Sequence, residues 1–229
     1  MTIKLYDLCG RDDRRFSPYC WRARMALAHK GLGFDAIPTR FTEIKDIAGG
    51  GHGRIPVIDH DGTVVADSWA IAVYLEETFP DAPSLFKGEG GMAAARFIEG
   101  WANGVLIPAV APLIVKDIHD IACDEDRDYF RQSRESRFGK TLEDVQAGRE
   151  ERLEFFRGVL MPLQLMLRSQ PFIGGESPLY TDYMVFATLQ FSRVASPFAL
   201  LDAEDPVHEW FERCLDLHDG LGRAMPAAV

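Results

Sequence analysis

Apolar and polar residues alternate across Ile3, Lys4, Leu5 and Tyr6, a period of two that predicts a short strand ending near Leu8. The charged run RDDRR, residues 11–15, follows as a loop. From Pro18 the period changes: Trp21, Met25 and Ala28 fall on one helical face, and Gly31 stops the helix. Proline suits a first helical position because that amide has no intrahelical acceptor. A second strand is predicted over 34–38 and a short helix over 42–48. GGGHG, residues 49–53, reads as a turn, and IPVIDHDGTVVADS as a hairpin turning at Asp61-Gly62. Residues 69–79 form an amphipathic helix that Pro80 ends.

The order is βαβ and then ββα, which predicts a small four-stranded mixed sheet with helices packed against it. A Pro- and Gly-rich stretch follows, and strand signals then nearly vanish. Helices are predicted over 92–107, 126–146, 150–167, 183–194 and 206–217. The expected organisation is an α/β domain over 1–83, a linker over 84–91 and an all-helical domain over 92–229.

Composition narrows this picture without redirecting it. The 229 residues are 47% hydrophobic and 26% charged, an ordinary globular balance. The formal net charge of −10 argues against nucleic acid or an anionic membrane as a main partner. MTIKLYDL has no signal-peptide pattern, and no apolar run looks long enough to span a bilayer. Cys9, Cys20, Cys123 and Cys214 are scattered, and the six histidines show no ligand spacing. Neither a disulfide framework nor a metal site is expected, and the usage fits a reducing cytoplasm.

Three short motifs carry candidate chemistry. In FSPYCWRAR, residues 16–24, Ser17 precedes Pro18 and takes the N-cap position of the first helix. The helix amides and positive helix end there favour an anion, and would lower the pKa of a thiol. Cys20, one turn on, reads as a buried small apolar residue or as such a thiol. Pro56 after Ile55 opens an edge strand if trans; if cis, it turns the Ile55 backbone toward an extended ligand. Taken alone, trans is the expectation, since only about 5–6% of folded X-Pro bonds are cis. Ser68 can cap the helix at 69, and Asp67 beside it can pair with an ammonium, a combination suited to an amino-acid headgroup.

In order and spacing, FSPYCWRARMALAHKG, RIPVIDHDG, VADSWAIAVYLEETFP and GGESPLYTDYMVFATL resemble the glutathione transferase superfamily, with its thioredoxin-like first domain and helical second domain. The resemblance implies glutathione as co-substrate, a hydrophobic electrophile as acceptor, no metal and a homodimer. It makes Ser17 the group that hydrogen-bonds the glutathione sulfur, since a cysteine there would form mixed disulfides instead. It places Ile55 with Pro56 at the cysteinyl part and Asp67 with Ser68 at the γ-glutamyl end. Arg54, Arg40 or His52 would meet the glycine carboxylate. The acceptor pocket would draw on Phe97, Trp101, Ile107, Tyr129, Phe130 and Phe191, with Arg193 facing the cleft.

Two departures stand out. Leu179 sits where the late motif usually has Ser or Thr three residues before Asp182, so half of that capping box is missing. RDDRR before Ser17 is an insertion expected to shape the mouth of the site. DRDYFRQSRESRFGKTLEDVQAGREERL, DLHDGLGR and the SPYxWR form of the first motif resemble the branch of glutathione-dependent β-aryl etherases. In that branch a glutathione thiolate displaces a phenolate next to a carbonyl. Two rivals are a glutathione-dependent thiol transferase or dehalogenase, and a binding protein of the same fold without turnover.

Overall fold

The computed structural model describes residues 2–229. Strands β1 (Ile3–Leu8), β2 (Phe34–Thr39), β3 (Val57–His60) and β4 (Thr63–Ala66) form one sheet in the order β2-β1-β3-β4. β1 runs parallel to β2 and antiparallel to β3, so the sheet is mixed. Helices α1 (Pro18–His29) and α2 (Ser68–Thr78) complete the α/β unit. The helix expected over 42–48 is instead two short 3-10 turns, Phe41–Glu43 and Ile47–Gly49. The segment is too short to offset helix nucleation.

The remainder is helical: α3 (Glu89–Trp101), α4 (Ile107–Ile121), α5 (Arg127–Phe138), α6 (Leu142–Gln146), α7 (Arg149–Val159), α8 (Met161–Leu167), α9 (Tyr180–Ala195) and α10 (Pro206–Ala224). The largest departure from expectation is α4. Pro108 and Pro112 suggest a break near 107, yet the helix goes on for another four turns. A π-turn over Ala102–Leu106 joins α3 to α4, with the Ile107 N–H reaching back to the Ala102 carbonyl. This wider turn resets the register just before Pro108, which then sits in a first turn where no N–H is needed. The joined Glu89–Ile121 rod is long and apolar enough to pass for a membrane span, contrary to the sequence reading. In this fold it packs against α9 and α6, with Val110, Leu113 and Ile114 in the core. The single helix expected over 126–146 breaks at Gly139, whose φ of 67° no longer continues a helix. Leu160 and Pro162 divide the one expected over 150–167.

Arg11, Asp12 and Asp13 of RDDRR stay exposed, yet the run is tied down at both ends. Arg15 is buried, 3.3 Å from Asp7 of β1, and Arg24 meets the same carboxylate at 2.6 Å. Arg14 bonds the Val194 carbonyl of α9 at 3.1 Å, and Arg11 the Asp120 carbonyl of α4. The insertion therefore staples the sheet domain to the helical one.

A second seam joins the two parts through His29, Tyr183 and His218. His29 Nε2 lies 3.0 Å from the Ser84 carbonyl, which can only accept, so this nitrogen carries the proton. Nδ1 then accepts from the Tyr183 hydroxyl at 2.7 Å, and Tyr183 in turn accepts from His218 Nε2 at 3.0 Å. Burial is the main cause that lowers both imidazole pKa values, that of His218 to about 4, with His29 adding to the effect there. A neutral folded-state histidine with an ordinary unfolded pKa near about 6.5 leaves the unfolded chain binding more protons below that pH. Stability is therefore full above about pH 7 and falls as the pH drops toward 4, by at most about 3 kcal/mol from His218. Urea titrations at pH 7 and pH 5 measure this. The pH-dependent loss should shrink in His218→Gln relative to wild type.

Candidate functional site

Ser17 has extended backbone (φ −61°, ψ 122°) ahead of α1, and its Oγ accepts from the Cys20 amide at 3.3 Å. It is 4% exposed, and it lines a cavity of about 320 Å³ between the sheet domain and the helical domain. Among the described residues its hydroxyl donates to no oxygen or nitrogen, and the Cys20 sulfur beside it is a weak acceptor that a thiolate would outcompete. Cys20 is 0% exposed and burial pushes its thiol well above the usual range. A protonated thiol sealed in the core is a packing group, not a nucleophile.

The Ile55–Pro56 bond is cis, against the expectation from frequency alone. Ile55 lines the Ser17 cavity, and its backbone N–H and C=O make no hydrogen bond within the chain among the described residues. An extended ligand strand would satisfy both.

Ile55 also lines an adjoining, more polar cavity of about 260 Å³, together with Tyr19, Arg54, Asp67, Ser68 and Asn103. Here the helix cap differs from expectation: Asp67, not Ser68, caps α2. Its Oδ1 accepts from the amides of Trp69 at 2.9 Å and Ala70 at 3.3 Å. Ser68 is the first helical residue and is buried. Asp67 holds φ at 87°, a conformation that costs about 1–3 kcal/mol for a residue with a side chain. Its two capping bonds help to hold it there. Its Oδ2 faces the exposed Arg54 guanidinium at 3.5 Å, an ion pair too solvated to lock either group.

Asn103 is a residue the sequence did not offer. Buried Arg22 donates to its Oδ1 at 2.9 Å, and because a guanidinium only donates, the Asn103 amide nitrogen must point the other way. Arg22 makes no ion pair among the described residues, its Nε has no partner, and burial lowers its pKa. A carboxylate, an oriented amide donor and a helix start thus line one small pocket, with the Arg22 guanidinium behind Asn103. This donor set fits a zwitterionic headgroup, and with the free Ile55 backbone it fits a tripeptide such as glutathione.

The larger cavity is apolar. Ile107, Ala111, Val115 and Ile118 line it at spacings of four, four and three, one continuous stripe of α4. The stripe is visible in the sequence, but only if the helix runs past the two prolines. Phe41, Tyr129, Phe130 and Phe191 add aromatic walls. Buried Asp126 holds Phe41 in place, accepting from the Phe41 amide at 2.8 Å, the Thr42 amide at 3.0 Å and the Thr42 hydroxyl at 2.8 Å.

Of the expected acceptor residues, Ile107, Tyr129, Phe130 and Phe191 line this cavity, whereas Phe97, Trp101 and Arg193 do not. Phe97 is 76% exposed, and Trp101, one turn on along the same face of α3, packs on the core outside the cleft. Arg193 lies beside a separate cavity and donates to the Met225 carbonyl at 2.8 Å, fastening the 225–228 segment to α9. Arg40 and His52 line neither part of the site. The Arg40 guanidinium is already taken by Glu43 at 2.6 Å and Glu125 at 2.7 Å. Of the three basic candidates for a glycine carboxylate, only Arg54 reaches both cavities.

Comparison with known proteins places this geometry. The family model for the glutathione S-transferase N-terminal domain matches residues 16–78, and that for the C-terminal domain matches residues 93–216. The glutathione S-transferase-like protein ustS of Aspergillus flavus is 27% identical over 202 residues, 75% of this chain and 72% of that protein. The crystal structure of glutathione transferase GSTFuA3 from Phanerochaete chrysosporium is 26% identical with a TM-score of 0.75, covering 98% of this chain and 94% of that one. The β-etherase LigF of Sphingobium sp. strain SYK-6 shares the fold at a TM-score of 0.67 and 18% identity, covering 98% and 99% of the two chains. With one family model spanning more than half of the chain and the other covering the Ser17, Ile55–Pro56 and Asp67 motifs, the protein belongs to the glutathione S-transferase superfamily.

Proposed function

We propose that the protein transfers glutathione to an activated aromatic electrophile, with Ser17 as the thiolate-stabilising group. The observation that carries this reading is the junction of the two cavities: Tyr19, Arg54 and Ile55 line both, and Ser17 lies in the apolar one. Asp67 pairs with the γ-glutamyl ammonium, while the Asn103 amide and Ser68, whose amide Asp67 does not cap, hold the neighbouring carboxylate. The Ile55 backbone holds the cysteinyl unit, and Arg54 meets the glycine carboxylate. Glutathione supplies the sulfur nucleophile; a C–S bond forms as a carbon–halogen or aryl-ether bond breaks, and the leaving group departs with the electron pair. Ser17 donates a hydrogen bond to the sulfur, which favours the thiolate beside the positive end of α1 once the thiol has lost its proton to solvent. The apolar walls exclude water and hold the acceptor for displacement. Burial of Cys20 speaks against thiol transfer through that residue.

Within this reading the narrower reaction is cleavage of an α-keto β-aryl ether with release of a phenol. A groove between α2 and α3, lined by Val65, Trp69, Val73 and Met92, supports pairing of two copies. The test is retention on immobilised glutathione with turnover of chlorodinitrobenzene and of an α-keto β-aryl ether, and light scattering on the same sample for the dimer. Turnover of both substrates supports the etherase assignment, and turnover of the halide alone restricts the function to conjugation. Absence of both retention and turnover rejects the proposal.

A further inference from the structure

Most arginines on the helical domain are neutralised. Arg131 of α5, for example, meets Glu135 at 2.8 Å and Glu143 at 2.9 Å. Three and six residues on, Arg134 and Arg137 turn the other way and line the apolar cavity. Neither makes an ion pair among the described residues. Among the described residues, the only side-chain hydrogen bond of Arg134 goes to Ser133 Oγ at 2.9 Å. Its guanidinium lies 4.7 Å over the Phe130 ring and 5.7 Å from that of Phe41. Burial, and then the neighbouring charge of Arg137, lower its pKa, so both desolvation and like-charge repulsion act on this group.

Among the described residues no aspartate or glutamate lines this cavity. That is unexpected in a chain with 35 acidic and 25 basic residues, where a counter-charge is easily found. Arg54, the third cation of the cavity, leans on Asp67 at 3.5 Å, which leaves the two α5 guanidiniums uncompensated. Cations three residues apart on a helix present a broad array of donors, and guanidinium geometry matches a carboxylate or sulfonate. Aromatic walls beside them fit the ring that would carry such a group.

We infer that the preferred acceptor is an aromatic electrophile bearing an anionic substituent, its ring against Phe41 and Phe130 and its charge held by Arg134 and Arg137. The inference deepens the transferase reading and rests on it for the word acceptor. Arg134 and Arg137 are then specificity-determining residues rather than participants in bond breaking.

The test compares chlorodinitrobenzoate with its methyl ester, which differ at the charge and share the reacting carbon. Arg134→Gln and Arg137→Gln should each lower the acid-to-ester ratio of kcat/KM by about tenfold, and the pair by more. Arg134→Lys should restore part of the loss. An unmoved ratio overturns the inference. So does a rise in KM for glutathione without a change in the ratio, which would assign the two arginines to the glycine carboxylate. Should neither electrophile be turned over, chlorodinitrobenzene turnover and glutathione retention decide the transferase reading separately, and calorimetric binding of naphthoate against naphthalenemethanol still decides the anion preference. Tighter binding of naphthoate that Arg134→Gln abolishes upholds an anion-selective aromatic pocket, and equal binding of the two probes overturns it.

Discussion

Ser17→Ala should lower kcat/KM for an activated aryl halide by about a hundredfold, the scale seen when one preorganised donor to a developing or resident anion is removed. The variant loses two things. The helix loses its cap, because the Oγ that accepts from the Cys20 amide is gone, at a cost of about 1 kcal/mol in stability. The sulfur loses its donor, so the thiol pKa in the complex should rise toward the free-thiol value of about 8.5. The acidic limb of the pH–rate profile should move up with it, by about one to two pH units. That displacement separates the two effects, because loss of a cap changes the melting temperature without moving a kinetic pKa. Cys20→Ala is the control, and it should keep its turnover wherever it stays folded. A Ser17→Ala enzyme with an unmoved profile, or a Cys20→Ala enzyme without activity, would overturn the assignment.

The largest loss of stability should come from Asp182, far from the reacting groups. The missing Ser or Thr at 179 is made good by tertiary structure, and the carboxylate does most of that work. Asp182 is fully buried and accepts four short hydrogen bonds, from the amides of Ile173 at 2.7 Å, Gly174 at 2.9 Å and Leu179 at 3.0 Å and from the Trp210 indole at 3.0 Å, besides a long one from the Thr181 hydroxyl at 3.5 Å. Burial pushes its carboxyl pKa up, and these donors pull against that shift. Asp182→Ala would leave four buried donors unpaired, each costing about 1–3 kcal/mol before relaxation. The net loss should be about 4 kcal/mol or more, against a total stability of about 5–15 kcal/mol. Urea unfolding should show a lower midpoint at an unchanged slope, with Asp182→Asn intermediate because it keeps one acceptor oxygen. A shift below about 1 kcal/mol would mean that the loop at 173–174 finds other acceptors.

The half of the site proposed for glutathione could be picked out from the sequence, because each part is a local device. A serine before a proline, an Ile-Pro pair before a strand and an acid at a helix start advertise themselves within two or three residues. Even so, two local details went the other way. The cap of α2 is Asp67 because its side chain, at positive φ, reaches two amides at once. The Ile55–Pro56 bond is cis although frequency favours trans. The acceptor half was legible only in part. Ile107, Tyr129, Phe130 and Phe191, which the resemblance offered for the acceptor, do line the apolar cavity. Phe97 and Trp101 had equally good spacing and face elsewhere, because periodicity identifies the face of a helix and not what stands opposite it.

Local pattern therefore carried the element order, the mixed sheet followed by helices, the serine-capped first helix and the family resemblance. Each of these depends on interactions between near neighbours in the chain. What only the folded chain decided are relations between distant residues. Arg22 orients Asn103 across 81 positions, Asp126 anchors Phe41 across 85, and Arg11 and Arg14 tie the RDDRR loop to α4 and α9. The π-turn belongs with them. It carries α4 past two prolines and so aims the stripe from Ile107 to Ile118 at Ser17, an outcome set by packing against α9 that no propensity at 108 or 112 contains.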